Sequence, residues 1–459
     1  MSTISNALSG ALAAQAGLST TSQNVANVMT EGYTRQGVLL ASVQPPRSGA
    51  LAAGGGVAVS SLLRFSDGYK SLQMWNAASG LAQYTTAQPY LTQLEQVMGD
   101  DTASINSGLD AFFGALNAAS VEPTSSPLRQ QVITAADALA QRFNSVNQVL
   151  SNQRLAVQQQ RTTAVSQVNT LTANIAALNK QISATQATGI NASGLIDERD
   201  RQIDSLAGMV AVQIVDQPDG SRSVSLRTGQ PLVAGSISST ISVQGNADGS
   251  QTLKLAFAKE NFTLAPSGLG GQLGGLDELE QQTLLPMMQS VTDMAREMSD
   301  AVNTTLLAGY AIDGSAGVAL FQFDATSVSS MLKVDASVTA GDLGFSSSAT
   351  APGDSGNLLS LIGIKSKVVS IGTLGSATIG DAVTQLVGRL GMQSQQNQAS
   401  LSTAQTVRNQ AEESWKSASG VNSDEEAINL MQYQQMYQSN LKVISVANEL
   451  FDATLAMIS

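Results

Sequence analysis

The sequence predicts a mainly α-helical fold with a small antiparallel β domain inserted in the middle. The N- and C-terminal parts of the chain together form a long helical-bundle or coiled-coil rod. Three observations support this prediction. Apolar residues recur at spacings of three and four near both ends, and the 61 residues from Leu128 to Thr188 contain neither glycine nor proline. The apolar period falls to two between about residues 210 and 264.

The composition excludes most kinds of catalytic and metal-binding site. The chain has 459 residues, of which 13% are charged, and it contains neither cysteine nor histidine. Zinc, haem, iron–sulfur and copper sites therefore lack their usual ligands, and Cys–His and Ser–His catalysis are ruled out. We predict that the protein is not an enzyme and that it has no catalytic residues, no cofactor and no metal site.

The charge balance and the first residues limit the partners. The chain has 23 Lys and Arg against 35 Asp and Glu, a formal net charge of −12. An acidic surface repels a phosphate backbone, so we expect no nucleic-acid partner. The first thirty residues carry no charge, but polar residues interrupt their apolar residues every few positions. They fit neither a signal peptide nor a membrane span, so we expect no membrane insertion.

The first segment has the spacing of a helix seam. Residues three and four apart lie on one line through Ile4, Leu8, Ala11, Gln15, Leu18, Ser22, Val25 and Met29. An α-helix places such residues along one face. We expect this helix to end near Thr30, because Gly32 can adopt the left-handed conformation that closes helices.

Helices also account for the next part of the chain. The pattern predicts helices over Leu72 to Val97 and Ile105 to Ala119, and then one rod or a bent pair of rods over Leu128 to Thr188. The rod has a seam in which twelve of fifteen positions are apolar: Ile133, Ala136, Ala140, Phe143, Asn147, Leu150, Arg154, Val157, Arg161, Ala164, Val168, Leu171, Ile175, Leu178 and Ile182. A helix this long needs other helices to cover its stripe.

A charged helical turn leads into the predicted β domain. The cluster from Asp197 to Arg201 can form ion pairs three and four residues apart, so we interpret it as a solvated helix face. Beyond Met209, alternating apolar residues predict strands at 210–214, 224–226, 241–243, 253–257 and 262–264. Asp219-Gly220 and Asp248-Gly249 are typical of hairpin turns between them.

The chain then returns to helix. The glycine-rich stretch from Gly268 to Gly275 is interpreted as a turn between domains, and Pro286 as a helix start or kink. Residues 312–371 are rich in glycine, serine and alanine and are predicted to be a loop or a minor β insertion. Helix is expected again from Ile379 to about Lys416.

The last segment repeats the spacing of the first. Its seam runs through Leu430, Gln434, Tyr437, Leu441, Ile444, Asn448, Phe451, Leu455 and Ile458. Gln434 and Asn448 are either tolerated polar residues or residues that fix the register between packed helices. A neighbouring apolar line widens this face beyond a two-stranded seam, so the face needs several partners.

The apolar stripes near the two chain ends have two possible interpretations. They could belong to ordinary amphipathic helices folded onto their own domain, or to helices that pair with each other and then with neighbouring copies. The second is favoured, because chain ends normally have no reason to carry such stripes. One copy cannot bury both faces, so we expect the ends to be disordered in the monomer.

These predictions divide the chain into three domains. Residues 1–60 and 417–459 form a terminal helical assembly domain, and residues 207–267 form the small antiparallel β domain. Residues 61–206 and 268–416 form a helical rod domain that contains the minor insertion at about 312–371.

Several segments resemble one known family. Asn24-Val25-Ala26-Asn27-Val28-Met29-Thr30-Glu31-Gly32-Tyr33-Thr34-Arg35-Gln36 looks like the start of the flagellar axial proteins. The end, from Ser419-Gly420-Val421-Asn422 through Ser423-Asp424-Glu425-Glu426, resembles that of the FlgK family of flagellar hook-associated proteins. Leu195-Ile196-Asp197-Glu198-Arg199-Asp200 and Ser267-Gly268-Leu269-Gly270-Gly271 add support from the middle.

The resemblance implies a structural subunit of the bacterial flagellum. Such a subunit is exported unfolded through the flagellar type III pathway, binds a flagellar export chaperone at its C-terminal segment, and becomes part of the extracellular hook–filament junction. Its partners would be other copies of itself, in a ring or helical assembly, the hook protein and the second hook-associated junction protein. The insertions of this chain are short, so the outermost domain of some relatives is expected to be reduced or absent.

The seams and the motif together define the predicted assembly interface. It comprises Ile4, Leu8, Leu12, Leu18, Asn24, Val25, Asn27, Gly32, Tyr33, Arg35, Leu430, Tyr437, Leu441, Ile444, Asn448, Phe451, Leu455 and Ile458. Two alternative functions remain open. One is another flagellar axial protein, such as a hook or rod subunit, and the other is an exported enzyme or effector with a β binding domain.

Overall fold

The computed structural model describes residues 2–44, 54–100, 104–247, 249–265 and 267–458. Long helices dominate this part of the chain, and the short strands lie between them. The helices are α1 (Ser2–Ala26), α2 (Gly68–Met98), α3 (Ile105–Val121), α4 (Ser126–Ala187), α5 (Ser193–Met209), α6 (Gly271–Glu278), α7 (Leu285–Leu307), α8 (Gly356–Gly363), α9 (Ile379–Ser419) and α10 (Ser423–Ile458). The strands are β1 (Gln36–Ser42), β2 (Val57–Arg64), β3 (Val212–Asp216), β4 (Arg222–Leu226), β5 (Pro231–Ala234), β6 (Ile237–Ser238), β7 (Thr240–Gly245), β8 (Gln251–Phe257), β9 (Glu260–Thr263), β10 (Phe321–Phe323), β11 (Leu332–Val334), β12 (Val369–Ile371) and β13 (Gly375–Ala377).

The predicted mainly helical fold with an inserted antiparallel β region is confirmed. The long glycine- and proline-free segment forms one 62-residue helix, α4, with Pro127 in its first turn. All fifteen seam residues of this segment are buried or half-buried. The helices predicted over 72–97, 105–119 and 379–416 correspond to α2, α3 and α9. Within the described ranges, no helix is both long and apolar enough to span a membrane.

Two hydrophobic cores lie along α4. The first surrounds its N-terminal half and takes side chains from α2, α3, α7 and α9, for example Leu94, Phe112 and Met294. The second surrounds its C-terminal half and takes side chains from α5, α6 and the β region, for example Ile203 and Leu255. Thus α4 is common to both cores.

A polar cluster on α4 lies between these cores. Arg161 Nη2 lies 2.5 Å from Glu280 Oε2, and Arg154 Nε lies 3.0 Å from Glu280 Oε1. Arg161 and Glu280 are both buried. Glu280 belongs to a short π-helix, Leu279–Leu284, that connects α6 to α7. The wider turn brings the carboxylate to the two arginines, and this pairing offsets the desolvation of the buried charges.

The β region between α5 and α6 forms two antiparallel sheets. One has the order β3-β4-β5-β6 and the other has the order β7-β8-β9. The sequence pattern did not predict β5 and β6, which are too short to show an alternating period. Gly220 has φ +79°, as the predicted Asp219-Gly220 turn requires. Asp248 of the other predicted turn lies outside the described residues.

Asparagines on helices recur as hydrogen-bond partners of strand backbone groups. Each of five such asparagines accepts from the N–H and donates to the C=O of a single strand residue, as another strand would. The pairs are Asn24 with Gln36, Asn144 with Leu332, Asn169 with Ile241, Asn179 with Arg222, and Asn303 with Phe321. These contacts satisfy backbone groups that would otherwise be left unpaired at strand edges.

The segment predicted as a loop or minor insertion, residues 312–371, is more integrated than expected. It contains the strand pair β10–β11, helix α8 and β12, which pairs with β13. Phe345 and Leu332 are fully buried in the first core. The buried guanidinium of Arg129 on α4 donates to the carbonyls of Pro123, Ala340 and Leu343 and lies 4.5 Å from the Phe345 ring centre.

Candidate functional site: the terminal helix pair and its junction with the rod

The first and last helices pair side by side. Asn440 lies against Gly10 and Tyr433 lies against Gly17, so α1 and α10 run antiparallel. The contact face of α1 is a seam of small residues three and four apart: Ala7, Gly10, Ala14, Gly17, Thr21 and Asn24. A Cβ atom at Gly17 would lie 2.5 Å from the Tyr433 ring, so glycine is needed for this close approach.

Most of the larger apolar residues of α1 lie outside this contact, and Ile4 alone of those named here borders α10, near Val443 and Ala447. Leu8, Leu12 and Val25 are 50%, 56% and 44% exposed, while Ile4 and Leu18 are half-buried. The stripe seen in the sequence therefore does not pair α1 with α10. The small seam does, because it allows the two helix backbones to approach closely.

Part of the α10 seam is half-buried and part of it is exposed to solvent. Tyr437 and Ile444 are half-buried, whereas six members are exposed: Leu430, Gln434, Leu441, Asn448, Phe451 and Leu455. Both polar members of the seam, Gln434 and Asn448, are therefore on its exposed part. Ile458 is the last residue of the helix, and its side chain lies outside the described part of the structure.

The β1–β2 hairpin lies along α1 and adds apolar surface that the sequence analysis missed. The Val57 N–H donates to Ser9 Oγ at 3.1 Å, and the Gln36 backbone is paired with Asn24. The hairpin carries exposed apolar side chains at Leu39, Leu40, Val59, Leu62 and Leu63. The run of apolar residues on both strands was the available signal.

Asn24 holds the start of the hairpin to both terminal helices. Its Nδ2 donates to the Gln36 carbonyl at 2.8 Å and to Glu426 Oε2 at 3.1 Å. Its Oδ1 accepts from the Gln36 N–H at 3.0 Å and from Tyr33 Oη at 2.9 Å. Asn24 is 1% exposed, so these bonds satisfy an otherwise buried amide. The asparagine in the motif is thus explained by contacts within the chain.

Arg35 binds the beginning of α10. Its Nε and Nη1 atoms each lie 2.7 Å from a carboxylate oxygen, of Glu426 and Glu425 respectively. Its N–H donates to the Ser419 carbonyl at 2.8 Å, at the end of α9. Glu426 is buried and Glu425 is exposed, so most of the electrostatic stabilisation belongs to the Glu426 pair.

Asp197 extends the junction to α5 and corrects one prediction. Asp197 accepts from the Thr34 N–H at 3.2 Å and pairs with Arg64 Nη2 at 2.7 Å. Burial raises the pKa of Asp197, and Arg64 and Thr34 oppose this rise. Asp197 and Arg199 are buried, so the interpretation of the whole 197–201 cluster as a solvated face is wrong. It holds for the exposed Glu198–Arg201 pair alone within that cluster.

The cluster also connects the junction to the β region. Asp200 Oδ2 lies 3.0 Å from Arg64 Nη2, and Asp200 Oδ1 pairs with Arg222 of β4. Arg222 in turn pairs with Asp216 of β3. A chain of alternating charges therefore runs from the hairpin through α5 to the sheet.

A short turn connects the end of α1 to the β1–β2 hairpin. α1 ends at Ala26, four residues earlier than expected, because the following N–H groups bond carbonyls three residues back. Gly32 has φ +72°, and a Cβ there would lie 2.5 Å from Arg201 Cγ. Asn27 and Thr30 bond each other at this exposed turn.

Burial raises the pKa of Tyr33, and the carboxylates of Asp197 and Glu426 raise it further.

Three of the four segments that carry the sequence resemblance thus meet in space. Residues 24–36, 195–200 and 419–426 form one network, which we name the junction network. It fixes the α1–α10 pair to α5, α9 and the β region. The sequence analysis included Asn24, Tyr33 and Arg35 of this network but missed Glu426 and Arg64.

Comparisons with known proteins identify the related families. A family model described as the flagellar hook-associated protein FlgK helical domain matches residues 91–321. A second, described as the flagellar basal body rod FlgEFG protein C-terminal, matches residues 417–457. The chain end on its own therefore indicates the wider group of axial proteins, and the helical domain is the more specific match.

Relatives that align with the whole chain are also named as flagellar hook-associated proteins. The protein named flagellar hook-associated protein 1 from Salmonella typhimurium is 27% identical over 552 aligned residues, which cover 99% of each chain. Its namesake from Bacillus subtilis is 27% identical and covers 96% of this chain and 95% of its own. The alignment of 552 positions exceeds the 459 residues here, so the Salmonella relative carries insertions.

A solved structure shares the fold. The flagellar hook junction protein FlgK from Burkholderia pseudomallei superposes with a TM-score of 0.68 at 17% identity, over 75% of this chain and 100% of its own. The FlgK helical-domain model covers just over half of the residues. The chain therefore belongs to the FlgK family of flagellar hook-associated proteins.

Proposed function

We propose that this protein is a structural subunit of the hook–filament junction that polymerises at the hook tip through its terminal helices. One observation supports this most directly: the α1–α10 pair uses small residues for its internal contact and leaves large apolar residues exposed on both helices. The family and the names of its relatives support the location in the flagellum. We propose no enzymatic activity.

The exposed side chains supply the driving force for assembly. Burying a large apolar side chain stabilises a complex by roughly 1.5–3 kcal/mol. Ordering the chain ends opposes this, at roughly 1–2 kcal/mol per residue for the backbone. We infer that neighbouring copies must cover both helices before their order is fully stable, and that the ends are disordered or readily opened in the free subunit.

The partners follow from the same proposal. They are neighbouring copies of this chain, the hook protein on one side and the second hook-associated junction protein on the other. Export through the flagellar type III pathway, with a chaperone on the C-terminal segment, would deliver the chain to the extracellular tip. The loosely held terminal pair suits passage in an unfolded state.

The test compares two charges placed on opposite sides of α10. Leu441→Asp puts a carboxylate in the exposed apolar stripe, and Gln432→Asp puts one about 180° away, at 100° per residue. We expect Leu441→Asp to abolish attachment of the purified chain to isolated hooks, and Gln432→Asp to retain it. Equal attachment of both variants would contradict the proposed interface.

Limited proteolysis tests the state of the ends. In the free protein, α1 and α10 should be cut long before α4, and hook attachment should protect them. Full protection of both ends in the monomer would count against the proposal.

One observation favours a second candidate function, that of a hook or rod subunit. The match of residues 417–457 to the rod-protein model also fits a hook or rod subunit. Labelling isolated hooks distinguishes the two, because a junction subunit labels the tip alone and a hook subunit labels the whole length.

A further inference from the structure

The methionines of the chain differ sharply in burial. Five of them lie in the first core and are at most 8% exposed: Met98, Met287, Met294, Met298 and Met331. Five others are exposed: Met29, Met392, Met431, Met436 and Met457. Apart from Met392 on α9, the exposed ones belong to the terminal region, so we name Met29, Met431, Met436 and Met457 the terminal methionines.

The terminal methionines lie on the elements that the proposed assembly covers. Met29 comes shortly after the end of α1 and is 92% exposed, and it continues the apolar line that contains the exposed Leu8 and Val25. The other three belong to α10, where Met457 is 87% exposed. These side chains are therefore open to small solutes as long as no neighbouring copy covers them.

The chain contains no thiol that would compete with these thioethers for an oxidant, because it has no cysteine. When a thioether sulfur attacks hydrogen peroxide, an S–O bond forms, the O–O bond breaks, and the second oxygen leaves as water. The sulfur loses two electrons and the peroxide gains them. The product, methionine sulfoxide, is polar and chiral, so it fits a dry apolar contact poorly.

We propose that the terminal methionines are an oxidation site of the free subunit, and that their conversion to sulfoxides by hydrogen peroxide weakens assembly through the terminal helices. The methionines of the first core are buried, so the oxidised chain stays folded around α4. A methionine sulfoxide reductase reverses the change, since it removes the oxygen as water and oxidises a dithiol to a disulfide. This inference rests on the proposed function and adds a chemical modification that controls it.

The order of oxidation tests the site without any assembly assay. The purified native chain is treated with hydrogen peroxide, and sulfoxide formation at each methionine is followed by peptide mass spectrometry. The terminal methionines and Met392 should oxidise about tenfold faster than the buried Met294 and Met298. In urea, which unfolds the chain, this difference should disappear. Similar rates for the exposed and the buried group in the folded chain would overturn the proposal.

Attachment to isolated hooks tests the consequence of oxidation. The peroxide-treated native chain should attach about fivefold more weakly than the untreated chain. A variant with all four terminal methionines changed to leucine should lose little on treatment, whereas Met392→Leu, which removes an exposed methionine of the rod, should lose as much as the native chain. Each variant is compared with its own untreated sample, so any effect of leucine itself cancels. Equal loss in the two variants would overturn the proposal.

Enzymatic reduction of the oxidised native chain gives a second measurement that needs no variant. The two reductases that act on the two sulfoxide epimers, supplied with dithiothreitol, should restore attachment. Attachment that peroxide does not weaken, or that the reductases do not restore, would overturn the inference and leave the proposed function intact. An untreated native chain that fails to attach would count against the proposed function itself, and the order of oxidation would still test the site.

Discussion

Asn24 Nδ2 and Glu426 Oε2 lie 3.1 Å apart and form a buried hydrogen bond between residues separated by 402 positions in the sequence. This bond joins the end of the first helix to the start of the last. The same amide also binds the backbone of Gln36, where the hairpin begins. One side chain thus connects three elements of the terminal region.

Asn24→Ala should open the junction network. The Gln36 N–H would lose its acceptor, and leaving a buried backbone group unpaired costs about 1–3 kcal/mol. We expect hydrogen exchange of the Gln36 amide to accelerate about tenfold or more, measured by NMR or mass spectrometry. Asn27→Ala is the control, because Asn27 is exposed and bonds only neighbouring residues. Similar acceleration in both variants would contradict this role for Asn24.

Adjacent glutamates on α10 should differ in their contribution to stability. Glu426→Gln removes a buried charge that pairs with Arg35 and should cost about 1–3 kcal/mol. Glu425→Gln removes an exposed partner of the same arginine and should cost about 0–1 kcal/mol. The Arg35 amide, which donates to the Ser419 carbonyl, reports local opening by hydrogen exchange. The prediction is wrong if Glu425→Gln accelerates its exchange more than Glu426→Gln.

Asp277 should make the fold less stable as the pH rises from about 4 to about 6. Burial raises the pKa of Asp277 to about 6, Arg161 opposes the rise, and Glu280 and Glu278 add to it. The folded chain therefore binds this proton more tightly than the unfolded chain, whose ordinary value is 3.8. As far as Asp277 is concerned, the free energy of unfolding is therefore highest below about pH 4, and it declines between pH 4 and pH 6.

Asp277→Asn should remove that decline. At pH 8 we expect the variant to be about 1–2 kcal/mol more stable than the native chain, and at pH 4 the difference should vanish. Asp300→Asn, at an exposed position of α7, serves as the control and should change stability by less than about 0.5 kcal/mol at either pH. Urea unfolding at the two pH values measures the difference, and a larger gain at pH 4 would refute the assignment.

A group of exposed aspartates should have the opposite pH dependence. Five of them accept from a Ser or Thr hydroxyl and a backbone N–H in tight turns, which lowers their pKa: Asp313, Asp324, Asp335, Asp342 and Asp354. Their stabilisation is present above the ordinary value of 3.8 and is lost as the pH falls through the lowered values. We expect acid to open residues 313–354 before α4, as measured by hydrogen exchange below pH 4. Simultaneous opening of both segments would argue against it.

The sequence predicted the interior helices better than the terminal contact. In α4, the residues that repeat every three or four positions are large and apolar, and they pack inside one subunit. In α1 the same pattern marks a mostly exposed face, and the contact with α10 depends on Gly10 and Gly17. Apolar periodicity favours large side chains, so it cannot reveal a contact formed by small ones.

The junction network was predicted in part for a similar physical reason. The motif residues Asn24 and Arg35 were identified, but their partners Glu426 and Asp197 are distant in sequence. The spacing of charges along the sequence favoured ion pairs within the 197–201 segment. Such spacing contains no information about Arg64 or Thr34, which are the actual partners of Asp197. Tertiary proximity determined which pairs form. The specific family match also lies in the middle of the chain rather than at the ends.

The polar cluster on α4 has a mechanical consequence. Arg161 and Glu280 are buried, so separating them would leave an uncompensated charge in the interior, and the cluster holds α4 to the segment between α6 and α7. Bending of the 62-residue helix should therefore be resisted near residues 154–161 as well as within the two cores. A subunit loaded at its two ends would then carry that load along α4 as one stiff rod, without opening either core.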